Sequence, residues 1–87
     1  MFQVKSKIAE KLNIPEDISE GVPIVTITGK GEAYVENYRG IIEYSKECIR
    51  IQTKCSRITF AGKNLEIVYY TNTDMKITGM LDSVSYS

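Results

Sequence analysis

Eighty-seven residues suffice for one small domain and are too few for two. Eleven Lys and Arg balance eleven Asp and Glu, which argues against the one-sided basic charge of an electrostatic nucleic-acid binder. Histidine is absent, and with it go the commonest general base and the commonest metal ligand.

In the first twenty residues Phe2, Val4, Ile8, Ala9 and Leu12 fall at helical intervals, with lysines on the other face. This spacing predicts an amphipathic helix over about residues 3–12, interrupted by Asn13 and Pro15. Pro15, Glu16 and Asp17 suit the start of a short second helical turn over about 15–20, and Gly21 suits its end. The apolar stripe is expected to cover an open face of the sheet that follows. Lys5, Lys7, Glu10 and Lys11 break up the opening stretch, so neither a signal peptide nor a transmembrane segment is expected. Two cysteines, Cys48 and Cys55, have no CxxC spacing and are too few for a disulfide framework. They are expected to be free, in a reducing cytoplasm.

From Pro23 the apolar period becomes two. Val25 and Ile27 are followed by Ala33 and Val35, Ile42 and Tyr44, Ile49 and Ile51, and Ile58 and Phe60. Leu65 and Ile67, Met75 and Ile77, and Val84 and Tyr86 complete the series. No gap is long enough for a crossover helix, so parallel β-α-β units are excluded. The expectation is a mainly β fold: a small antiparallel β roll or sandwich of about seven to eight short strands with an N-terminal amphipathic helix. One domain spans the chain, with residues 1–21 helical and 22–87 β. Gly29, the Asn37-Tyr38-Arg39-Gly40 stretch, Lys54-Cys55-Ser56, Gly62-Lys63-Asn64 and Thr71 to Asp74 read as chain reversals. Gly79, inside an alternating run, reads as a bulge or bend. Gly29, Asn37, Arg39, Gly40, Gly62 and Gly79 are therefore structural positions, with Arg39 anchoring its turn.

No catalytic, cofactor-binding or metal-binding constellation emerges. Gly29-Lys30-Gly31 lacks the phosphate-loop pattern and precedes strand residues. Glu32, Glu36 and Glu43 alternate with apolar residues as on a solvated sheet face, and Cys48 has no histidine to activate it. The six tyrosines suit half-buried strands and interfaces. Strict alternation over Leu65–Tyr70 turns Leu65, Ile67 and Tyr69 to the core, and Glu66, Val68 and Tyr70 outward as a contact surface. The last strand, Ser83 to Ser87, ends as an open edge, adding Ser83 and Ser85 to that surface.

Four motifs in order resemble the YqfC branch of the YabP/YqfC sporulation proteins. They are Val22-Pro23-Ile24-Val25-Thr26-Ile27-Thr28-Gly29, Tyr34-Val35-Glu36-Asn37-Tyr38-Arg39-Gly40-Ile41, the run from Ile58 to Ile67, and the run from Ile77 to Tyr86. Leu12-x-Ile14-Pro15 is similar to the branch's amphipathic start. Tyr38 stands where the branch commonly has His, and Ser56 where it often has Gly. The resemblance implies a protein of spore morphogenesis with no catalytic activity, acting in the mother cell at or near the forespore surface. It also implies a protein partner, a membrane-associated sporulation protein among the candidates. The expected mode of action is protein–protein contact or self-assembly into a homo-oligomer, with no cofactor and no nucleic acid. The alternative is a small β module that binds a ligand or nucleic acid through an aromatic sheet face.

Overall fold

The computed structural model describes residues 21–87, and the expected N-terminal helix lies outside them. Six strands follow in chain order: β1 (Ile24–Thr28), β2 (Glu32–Glu36), β3 (Tyr38–Tyr44), β4 (Cys48–Thr53), β5 (Arg57–Tyr70) and β6 (Asp74–Tyr86). All pairings are antiparallel, in one sheet of order β1-β2-β6-β5-β4-β3.

The expected strand count is corrected from seven or eight to six. Ile58–Phe60 and Leu65–Ile67 belong to one 14-residue strand, and Met75–Ile77 and Val84–Tyr86 to one 13-residue strand. Gly62-Lys63-Asn64 is therefore a bend within β5 and no chain reversal. Asn64 takes a positive φ of 55° and Gly79, opposite it, a φ of 130°. The β5–β6 ladder shifts register between Ala61 and Gly62, between Lys63 and Glu66, and between Ile67 and Tyr69. Such bulges bend and twist a strand pair without ending it.

A second correction concerns Asn37. It is a single-residue corner, with φ 69°, that carries the chain from β2 to β3 without pairing them. Its N–H donates to Thr73 O (2.6 Å) and its Nδ2 to Val22 O (2.9 Å). Gly40 lies inside β3.

The sheet curls back on itself. In strand order β4 separates β3 from β5, yet Tyr44 Oη on β3 accepts from the Ile67 N–H of β5 at 2.9 Å. Tyr38 Oη reaches over to donate to Thr71 O at 2.5 Å. Inside the curl, Val35, Met75 and Ile77 from one half meet Ile49, Ile51, Ile58 and Phe60 from the other, all at 0% exposure. Burying each such side chain stabilises by roughly 1.5–3 kcal/mol.

A local two-fold relation connects the halves. The Gly79 and Leu81 N–H groups of β6 donate to Gly31 O (3.2 Å) and Lys30 O (2.8 Å) in the β1–β2 turn. The Gly62 and Leu65 N–H groups of β5 donate likewise to Glu47 O (3.1 Å) and Lys46 O (2.8 Å) in the β3–β4 turn. Each lateral hairpin thus caps the bend of one long strand.

Three of the four hairpins, β3–β4, β4–β5 and β5–β6, share one turn chemistry. Ser45, Thr53 and Thr71 each donate a backbone N–H to the carbonyl three residues on, at 2.8, 2.9 and 2.7 Å. Each side-chain hydroxyl accepts from the N–H groups two and three residues on. The hydroxyl replaces the backbone partners that the reversal removes.

Candidate functional site

The five positions expected to form a contact surface are all exposed, but they do not form one surface. Glu66 pairs with Thr78, Ser83 with Ala61 and Ser85 with Thr59. The bends at Gly62 and Gly79 separate the two serines from Glu66. Val68 is the unpaired residue of a bulge, which reverses the alternation assumed for Tyr69 and Tyr70. Tyr70 pairs with Met75, a core residue, while Tyr69 pairs with Lys76. The expected core position of Tyr69 is thereby corrected. It lies outward at 47% exposure, and Tyr70, at 65%, stands at the open end of the core side.

This shift assembles a row that strict alternation misses. Tyr34, Lys76 and Tyr69 lie in register across β2, β6 and β5. Lys76 Nζ pairs with Glu32 Oε2 at 3.5 Å, and Tyr34 Oη donates to Asp74 Oδ2 at 3.3 Å. Desolvation, then the charge of Asp74, raises the Tyr34 phenol above its ordinary value. Glu43, on β3, pairs with Arg50 at 3.3 Å. Glu32 and Glu43 are thus ion-paired residues of sheet faces. Arg39 is exposed on β3.

Two shallow grooves follow the local two-fold relation. One, of about 490 Å³, lies between the β3–β4 turn and the bend of β5, against Tyr44, Lys46, Asn64, Leu65 and Glu66. Its counterpart, of about 210 Å³, lies between β1 and the far half of β6, against Ile27, Lys30, Leu81 and Val84. Cys48, half-buried, and Cys55, exposed, are free thiols. Among the described residues no three ligating side chains cluster to hold a metal ion, and no helix is long and apolar enough to cross a membrane.

Strand edges and exposed apolar side chains are prominent on this surface. Val68, Tyr69 and Tyr70 are exposed together at the end of β5, and Ile41, Ile42 and Tyr44 along β3. Among the described residues no strand pairs with the outer edges of β1 and β3, with the second edge of β5 over 66–70, or with that of β6 beyond Leu81.

The profile of the YabP family matches residues 20–87, the whole described sheet included. The chain belongs to the YabP family. It is also 29% identical to the uncharacterized protein YqfC of Bacillus subtilis (strain 168), over 84 residues that make up 97% of this chain and 90% of that protein. No solved structure matches it. For this YabP-family chain the shared segment is the curled sheet itself, so family likeness and fold cover the same residues.

Proposed function

We propose that this YabP-family chain is a non-enzymatic protein of spore morphogenesis that works through protein–protein contact. The observation that carries the reading is the end of β5, where Val68, Tyr69 and Tyr70 are exposed beside an edge unpaired among the described residues. An edge of unpaired N–H and C=O groups flanked by aromatic side chains is a surface that recognises another polypeptide. The resemblance to sporulation proteins supports a contact made in the mother cell, on the cytoplasmic side at or near the forespore surface, with a membrane-associated protein as one candidate partner.

The test is made in B. subtilis lacking YqfC, supplied with this chain carrying a photo-crosslinking residue at position 68. A crosslinked protein that appears only during sporulation, with a yield of heat-resistant spores that differs from that of the same strain without this chain, is the expected result. A chain that neither changes spore yield nor crosslinks to any protein overturns the proposal.

A further inference from the structure

The exposed edges of the sheet are not equally protected. Natural edge strands resist pairing with other chains through charges, bulges or covering groups. β3 has register shifts around Arg39 and Ile42 and carries Arg39 and Glu43. β5 has the Val68 bulge, and its Ile67 N–H is already taken by Tyr44 Oη. β6 has its register shift at Asp82, which adds a charge. Among the described residues β1 has none of these devices. Ile24-Val25-Thr26-Ile27-Thr28 holds no charged residue, and its pairing with β2 runs unbroken from Ile24↔Glu36 to Thr28↔Glu32. Ile24 and Ile27 stand 43% and 44% exposed.

We propose that the outer edge of β1 is a self-association edge whose occupant is β1 of a second copy of this chain. This goes beyond the contact reading above, which concerns the end of β5, and names a second contact on a different edge. Two features favour a second copy. The chain has no net charge, eleven basic against eleven acidic residues, so copies approach without the repulsion that keeps charged proteins apart. The strand is also self-complementary. Antiparallel pairing about Thr26 sets Val25 of each copy opposite Ile27 of the other, and Thr26 opposite Thr26. The three central pairs match apolar to apolar and hydroxyl to hydroxyl, the two outer pairs set Ile24 opposite Thr28, and no like charges meet. The arrangement is a two-fold dimer in which each copy's β1 edge is consumed, so it closes without forming a polymer.

Sedimentation of the full chain over a range of concentrations, with hydrogen exchange of the β1 amides at each, tests this. The expected result is a reversible monomer–dimer equilibrium with protection of residues 24–28 that rises with concentration. Thr26→Lys places two like charges opposite each other and is expected to weaken dimerisation by about tenfold or more. Ser85→Lys, on β6, is expected to leave it unchanged. A wild-type chain that stays monomeric at every concentration overturns the proposal. So does protection of 24–28 independent of concentration, which makes residues 1–20 or another part of the same chain the occupant. So does a dimer that Ser85→Lys disrupts and Thr26→Lys does not. The exchange measurement needs no variant and stands even if Thr26→Lys fails to fold. Each of these failures leaves the crosslinking result at position 68 standing, so the contact reading is judged separately.

Discussion

The backbone carbonyl of Asn64 lies 2.5 Å from the point where a Cβ on Gly79 would sit. Gly79 also holds a φ of 130°, a region that side chains with a Cβ rarely enter. Conformational strain of this kind costs about 1–3 kcal/mol, and here the Asn64 backbone must shift as well. Gly79→Val is therefore expected to destabilise by about 3 kcal/mol or more, read as a fall in the urea midpoint. An unchanged midpoint would mean that β6 passes this point as ordinary strand.

Gly62 makes the same demand from the other side, since its added Cβ would fall 1.9 Å from Met80 O. Gly62→Ala is expected to destabilise by about 2 kcal/mol or more and to loosen the two N–H contacts to Lys46 and Glu47. Loss of amide protection at Gly62 and Leu65 checks the second part.

Tyr38 gives the fold an alkaline limit. It is buried, donates to Thr71 O, and burial, then Tyr70 and Asp74, raises its phenol above the ordinary value of 10.0. In the unfolded chain this group loses its proton at a lower pH than in the folded one. Stability is thus complete below pH 10 and falls as pH rises through the interval between the two values. Tyr38→Phe is expected to lower stability at pH 7 by about 1 kcal/mol, through the lost hydrogen bond, and to flatten the decline above pH 10. Denaturant titrations at pH 7 and pH 10.5 separate the two effects.

Thr53 is the buried polar residue on which the β4–β5 turn hangs, at 2% exposure. Its Oγ1 donates to Ser56 O at 2.7 Å and accepts from the Ser56 and Cys55 N–H groups at 3.0 and 3.2 Å. Thr53→Val keeps the shape and strands these partners, so a loss of about 1–3 kcal/mol is expected. Thr53→Ser should retain most of the stability, and thermal melting of the pair distinguishes hydroxyl from packing.

Tyr69 and Tyr70 exchange the faces that strict alternation gives them, yet neither enters the core. Both are exposed, and Tyr70→Ala or Tyr69→Ala is expected to cost about 1 kcal/mol or less. Tyr38→Ala, by contrast, should cost about 3 kcal/mol or more. Melting temperatures of the three variants check this order.

How much of this could be read in the sequence depends on what a phase change in the apolar pattern means. Ile51 opposite Ile58, the hairpin at Gly29-Lys30-Gly31 and the bend at Gly79 follow from alternation and glycine alone, and the register agrees. The step from even positions (Ile58, Phe60) to odd ones (Leu65, Ile67) marks either a new strand or a bulge. A glycine and an asparagine lie between them in both cases. Only the long-range ladder to β6 decides for a bulge. Val68 is harder still, because no turn residue announces it, and so the Tyr34–Lys76–Tyr69 row stays hidden. The hydroxyl turns leave a trace: Thr71 begins a four-residue polar stretch, and Ser45 and Thr53 each begin a stretch of three polar residues and one cysteine. Asn37 reads as a reversal because a positive φ serves a corner as well as a turn.

The long β5–β6 hairpin has a kinetic consequence. Each of the four hairpins closes over three residues and so begins from contacts close in sequence, which form fastest. Only this one joins the two long strands with which β2 and β4 pair. The β1–β2 and β3–β4 hairpins gain their long-range partners only when those two strands are in place. The rate-limiting ensemble should accordingly contain the closed Thr71 loop and the paired Met75–Tyr70 end, with the lateral hairpins still loose. Substitutions in the β5–β6 loop would slow folding, whereas substitutions in β1 would chiefly speed unfolding.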